Sequence, residues 1–200
     1  MSLLQKFVHK KFLEPGIQMR ASQFVELLPP PGAVVFIGDS ITEGGAWDEW
    51  FPDHRVINRG ISGDTAAGVR TRVAVAVRNS PSMVALLIGT NDIGMGRKKE
   101  EILADVQATI DTIRAQAPEA AILLQSIMPR QAKFRARIDE LNAQFRQIAE
   151  ATSRARYVDL WPVLADRDAL RPGLTLDGPH LNGAGYRAWA GVLQPLLPRD

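Results

Sequence analysis

Four short segments of this sequence hold groups that could together attack an acyl carbon: Gly38-Asp39-Ser40, Asn58-Arg59-Gly60, Gly89-Thr90-Asn91-Asp92 and Asp177-Gly178-Pro179-His180. Acyl transfer needs a nucleophile, a base to take its proton, and donors aimed at the oxygen on which charge develops. Ser40 can be the nucleophile. Its own N–H, the N–H of Gly60 and the side-chain amide of Asn91 can form an oxyanion hole. A glycine lets backbone approach a substrate oxygen closely, and an amide is a neutral donor on a fixed arm. Three histidines compete for the role of base. His9 sits in the N-terminal segment and His54 in a loop before an apolar run, whereas His180 follows Asp177 by three residues across Gly178-Pro179. At that separation the carboxylate can reach the imidazole N–H, fix its tautomer and stabilise the imidazolium. The expected catalytic set is therefore Ser40, His180 and Asp177.

Taken singly, each segment has an ordinary reading. Gly-Asp-Ser is a common turn, Asn and Gly are loop residues, and Asn91-Asp92 could cap a helix. Their joint occurrence at the ends of apolar runs is what argues for a site. Asp39 and Asp92 read as structural acceptors for loop N–H groups, and Asn58 as a buttress for the Gly60 loop. Ser62 is the rival nucleophile nearby.

The elements that must position these groups are legible in outline. Pro29-Pro30-Pro31-Gly32 ends an N-terminal helical segment (about Gln18 to Leu28) before the run Ala33–Ile37. Further apolar runs follow at Val56-Ile57, Met83–Ile88, Ala121–Leu124 and, more weakly, Tyr157-Val158. None alternates cleanly, as suits strands of a parallel sheet covered on both faces. Between them Ile102, Val106, Ile110 and Ile113 mark one helical stripe, and Ile138, Leu141, Phe145 and Ile148 another. Asn182 could cap a last helix that buries Tyr186, Trp189 and Leu193. This alternation predicts an α/β/α sandwich of three layers around a five-stranded parallel sheet, in one domain over residues 1–200: a helical segment over about 1–31 and a core over about 33–197. Ser40 and Asn91 then follow strand ends, with Gly60 beyond a third, where open parallel sheets gather their functional groups.

Composition excludes several classes. With 46% hydrophobic and 23% charged residues the chain is too apolar for disorder and too charged for a membrane protein. A net charge of +2 and no recognised module argue against nucleic-acid binding; the basic patch from Arg130 to Arg137 reads as a solvated face. The absence of cysteine excludes disulfides and thiolate chemistry. No paired-histidine spacing suggests a metal, and no cofactor is expected. Gly183-Ala184-Gly185-Tyr186-Arg187-Ala188 fits a loose dinucleotide pattern but has no strand before it. Lysines interrupt the apolar N-terminus, so a signal peptide is not expected, and the expected location is cytoplasmic.

With these four segments the chain resembles the SGNH (GDSL-type) hydrolase superfamily, over about Ala33 to Leu197. The name letters match Ser40, Gly60, Asn91 and His180, and Asp177 matches the acid that family places three residues before its histidine. The stretches Asn58–Thr65 and Asp177–Gly183 are similar to those of bacterial esterases labelled sialate O-acetylesterases and of platelet-activating-factor acetylhydrolase catalytic subunits. The resemblance implies a flavodoxin-like sandwich, metal-free ester chemistry and a shallow, open site. It also raises a homodimer, since those catalytic subunits pair. Gly-Asp-Ser-Ile replaces the archetypal Gly-Asp-Ser-Leu at a packing position, and Thr42 rules out the Gly-x-Ser-x-Gly elbow of another hydrolase fold. Short connections leave little chain for a lid, so the expected substrate is a small ester with a short acyl group, acetyl above all, with an O-acetylated sugar as one candidate. The alternatives are an acyltransferase or a non-catalytic carbohydrate-binding protein. Expected rim residues are Trp47, Ile61, Ile93, Met95, Met128 and Pro179, with Trp47 and Trp50 equally readable as core. Arg59 or Arg130 would meet an anionic alcohol portion.

Overall fold

Each apolar run becomes a strand: β1 (Val34–Gly38), β2 (Val56–Gly60), β3 (Met83–Leu87), β4 (Ala121–Gln125) and β5 (Ala155–Val158). In the computed structural model, which describes residues 14–198, they pair in parallel in the order β2-β1-β3-β4-β5. This is the flavodoxin-like order, whose topological switch point lies between β1 and β3. His9 and the first part of the N-terminal segment lie outside the described residues.

The two-residue period of the strands sorts their side chains onto two faces. Val35, Ile37, Val84, Leu86, Ile122 and Leu124 enter one core, where they meet α4 (Ala66–Ala76), α6 (Lys99–Gln116) and α7 (Arg135–Ala151). Val34, Phe36, Met83, Ala85, Leu87 and Leu123 enter the other, against α2 (Ser40–Glu43), α3 (Trp47–Trp50), α8 (Trp161–Leu164) and α9 (Gly183–Leu193). Both faces are covered, which is why the runs carry no apolar–polar alternation.

The expected stripes are the buried ones. Ile102, Val106, Ile110 and Ile113 of α6 are each 0% exposed, and Ile138, Leu141 and Phe145 of α7 are likewise buried. Ile148 is half-buried. Asn182 caps α9 by accepting from the N–H groups of Ala184 and Gly185, and Trp189 and Leu193 are fully buried. The N-terminal helix α1 (Glu14–Glu26) starts and stops earlier than the sequence predicts. Strand β2 extends three residues past Ile57, because Asn58, Arg59 and Gly60 stay in register with Phe36, Ile37 and Gly38. A short hairpin, β6 (Ala165–Asp166) with β7 (Ala169–Leu170), has no apolar run to announce it. α5 (Thr90–Gly94) follows β3 directly. No helix among the described residues is long and apolar enough to cross a membrane.

Candidate active site

Strand β1 runs into α2 with no loop between them. A Cβ on Gly38 would come within 2.2 Å of Thr42 Oγ1 and 2.4 Å of the Leu87 carbonyl oxygen, so only glycine fits this bend. Asp39 caps α2: its Oδ1 accepts from the Ile41 N–H at 3.0 Å. Ser40 is then the first helical residue, and its N–H has no acceptor within the helix. That leaves a backbone donor, at the positive end of the peptide dipoles, beside the serine hydroxyl. Asp39 is fully buried, and among the described residues its Oδ2 has no partner. Burial pushes its carboxyl up to about 7, against the opposing pull of the Ile41 N–H.

The expected base arrives from the other end of the chain. Ser40 Oγ lies 2.9 Å from His180 Nε2, and His180 Nδ1 lies 2.6 Å from Asp177 Oδ2. Asp177 Oδ1 also accepts from the His180 backbone N–H at 2.9 Å, so one carboxylate fixes both the ring and its backbone. Those two bonds to His180, ring first, hold the Asp177 carboxyl below its usual range. Gly178, at φ +96°, makes the turn between them and donates its N–H to Thr175 Oγ1 at 2.9 Å. The pair stands open to solvent, with the His180 and Asp177 side chains 48% and 55% exposed.

Asn91, near the start of α5, reaches across to the loop after β2, donating from Nδ2 to the Asp64 carbonyl at 2.8 Å. One amide proton is thereby fixed and the second stays free to donate. Gly60 does not fill the role that the sequence suggests. Its N–H donates to Asn58 Oδ1 at 2.9 Å, because Ile61 carries the bond to the Gly38 carbonyl and the strand alternation turns Gly60 to the other side. Gly60 is required for a different reason: a Cβ there would come within 2.2 Å of the Glu43 backbone nitrogen. Asn58 braces the same junction, donating to the carbonyls of Thr42, Glu43 and Gly45.

The unpaired donor is three residues further on. The turn Ile61-Ser62-Gly63-Asp64 closes with Asp64 N–H on the Ile61 carbonyl at 3.1 Å, with Gly63 at φ +80°. Among the described residues the Gly63 N–H has no acceptor, and it sits next to the residue that Asn91 holds. The readable signal was a glycine just before Asp64 and Thr65, the latter being the N-cap of α4.

Two ion pairs, each with a buried carboxylate, set this turn, and neither was predicted. Arg72 donates to Asp64 Oδ2 at 2.7 Å, to the Arg59 carbonyl at 2.7 Å and to the Gly38 carbonyl at 2.9 Å. It thus ties the ends of β1 and β2 to the Gly63 turn. Asp92 accepts from the Ala66 N–H at 3.0 Å and from Arg97 at 2.6 Å, fastening α5 to the start of α4. Burial raises the carboxyls of Asp64 and Asp92, and the facing arginines oppose it. The hydroxyl of the rival Ser62 donates to Glu43 Oε2 at 2.5 Å, whereas the His180 ring meets Ser40.

Most of the expected rim is core. Trp47 is 1% exposed, stacks on Phe36 with ring centroids 4.3 Å apart and donates to the Thr42 carbonyl. Ile61, Ile93 and Met128 are also buried. Their apolar side chains obey the cores beneath the site rather than the surface above it. Arg59 is buried as well, donating to the Leu27 carbonyl at 2.5 Å and lying 4.6 Å from the Phe24 ring centroid under α1. Met95 and Pro179 remain half-exposed. Arg130 donates to the Thr90 carbonyl at 2.7 Å, next to α5. A cavity of about 530 Å³ contains His54 but is lined by Val34 and Ser82, at the amino ends of the strands and opposite the catalytic edge.

Residues 36–188 match the model of the GDSL-like lipase/acylhydrolase family. A platelet-activating factor acetylhydrolase IB subunit beta homolog of Drosophila melanogaster is 28% identical over 130 residues, 62% of this chain and 56% of that protein's length. The corresponding alpha2 subunit of Rattus norvegicus is 26% identical over 174 residues, 82% of this chain and 73% of the subunit. A solved structure from Streptococcus pneumoniae superposes with a TM-score of 0.90 at 26% identity, covering 99% of this chain and 100% of that one.

Proposed function

The chain belongs to the GDSL-like lipase/acylhydrolase family, and on that premise we propose that it is a serine esterase specific for short acyl groups, acetyl above all. One observation carries this reading: the unbroken contact chain from Ser40 Oγ through the His180 ring to Asp177, at 2.9 and 2.6 Å. His180 Nε2 takes the Ser40 proton as Oγ attacks the ester carbonyl. The tetrahedral oxyanion is met by the N–H groups of Ser40 and Gly63 and by the free amide proton of Asn91. His180 then protonates the leaving alcohol, and the Oγ–carbonyl bond of the acyl-enzyme remains. Water, deprotonated by the same imidazole, releases the carboxylic acid and restores Ser40. Asp177 keeps its negative charge throughout and stabilises the imidazolium.

The short acyl preference rests on what surrounds Ser40. Ile41, Ile61, Ile93 and Met128 are packed into the cores, while the base stands on an open loop. The two related acetylhydrolase subunits, named for an acetyl substrate, agree with that preference. An exposed His180 also leaves the alcohol side unrestricted, which suits a sugar as readily as a glycerol ester.

Hydrolysis of p-nitrophenyl esters from acetate to decanoate, by wild type beside Ser40→Ala, tests the reading. The expected profile peaks at acetate or butyrate and disappears in the variant. Activity that survives in Ser40→Ala, or that peaks at decanoate, overturns it. An O-acetylated sugar panel then ranks the alcohols.

A further inference from the structure

Glu43 ends α2 three residues after the nucleophile, and its side chain turns away from Ser40 toward the Gly63 turn. Oε2 accepts from the Ser62 N–H at 2.6 Å and from the Ser62 hydroxyl at 2.5 Å. Oε1 meets Arg20 Nε of α1 at 2.9 Å, and the same Nε donates to the Gly60 carbonyl at 2.7 Å. The carboxylate thus accepts from both donors of the residue directly before Gly63. Its backbone is fixed as well: the Glu43 carbonyl accepts from Asn58 Nδ2 at 3.0 Å. The short helix that carries Ser40 and the turn that carries the Gly63 N–H are therefore joined by one side chain, anchored from behind by α1.

We propose that Glu43 is a positioning residue for the oxyanion hole, holding Ser62, and through it the Gly63 N–H, at a set distance from Ser40 Oγ. It touches no reacting atom. Donors stabilise a transition state only if they are in place before charge develops, so the turn must not drift when substrate arrives. Gly63 at φ +80° has no side chain to hold it. Asp64 on one side of it is held by Arg72 and Asn91, and Ser62 on the other is held twice by Glu43. Arg20 keeps the carboxylate from rotating back toward solvent. The proposal rests on the esterase reading above.

The test uses Glu43→Gln, Ser62→Ala and Ser62→Thr, with two readouts and a melting temperature for each. One readout is kcat and KM on p-nitrophenyl acetate. The other is the rate at which a fluorophosphonate labels Ser40, followed by mass spectrometry; there Oγ–P forms, P–F breaks, and the Ser40 proton passes to His180. Glu43→Gln should lower kcat and labelling rate together by about tenfold or more, with KM and the pH at half-maximal rate unchanged, short of the ~10² that a misplacement of 1 Å can cost. Ser62→Ala should lose less, and Ser62→Thr, which restores the hydroxyl, should recover most of it. Unchanged kcat in both Glu43→Gln and Ser62→Ala, or a loss confined to KM, overturns the proposal. If Glu43→Gln fails to fold, the Ser62→Ala and Ser62→Thr pair decides by the same criteria. Wild type that is not labelled at Ser40 would instead overturn the esterase reading, and this proposal with it.

Discussion

The two halves of the site are built in opposite ways. On the oxyanion side, Asp39, Asp64 and Asp92 are 0–3% exposed and their bonds span the fold, from Arg72 to Gly38 and from Asp92 to Ala66. On the acid–base side, Asp177 and His180 are about half exposed and hold each other across three residues. The difference follows from what each half must do. Donors to a developing charge gain most when fixed in a site of low dielectric, where an unmet charge is costly to the fold. A base must exchange protons with serine, leaving group and water in turn, and an exposed ring orientated by one carboxylate suffices.

The sharpest test of that contrast is the triad itself. Ser40→Ala and His180→Ala should each lower kcat by about 10⁴–10⁶ and by similar amounts, with melting temperature unchanged; unequal losses would separate two groups taken here as one unit. Arg72→Met should do the reverse, costing about 3–5 kcal/mol of stability by leaving the buried Asp64 without its cation. Denaturant titration reads it, and a variant as stable as wild type would deny the oxyanion side its rigid base. Asn91→Ala should lower kcat by ~10²–10³ with little change in KM; a KM effect alone would make Asn91 a ground-state contact.

Acidity separates the halves too. The Asp39 carboxyl, near 7 when folded against 3.8 in an unperturbed group, contributes stability that is whole below 3.8 and is lost as pH rises through about 7. Asp39→Asn keeps the acceptor for Ile41 and should flatten the melting temperature across that window. The Asp177 carboxyl shifts the other way: lowered by its bonds to His180, it favours the fold above 3.8 and loses that advantage as pH falls. The smallest effect belongs to Arg59. Arg59→Met should leave kcat/KM unchanged on neutral and anionic acetyl esters alike, since its guanidinium serves Leu27 and Phe24.

Legibility in the sequence followed the same division. Asp177 and His180 were readable because their spacing alone determines that they meet. The five strands and the α6 and α7 stripes were readable because burial on one or two faces imposes a period. The Gly63 turn was not. Choosing Gly63 over Gly60 requires knowing that Ile61 bonds back to Gly38 and that Asn58 takes the Gly60 N–H, both consequences of β1–β2 register. Arg72 and Glu43 escaped for a similar reason: a charged residue in a helix looks solvated until the partner it folds against is known. The rim failed because an apolar residue next to a catalytic one reads equally as surface or as core, and Trp47, Ile93 and Met128 all chose the core.

The contact between Ser40 and His180 spans 140 residues. In a refolding chain, β1, β2 and β3 can pair and the Gly63 turn can close while α9 and the loop before it are still unplaced. Contacts so distant in sequence close late, since they add the largest loop. The Ser40–His180 contact is therefore expected to close after the sheet has paired. An assay of turnover during refolding would report docking of the Asp177–His180 loop.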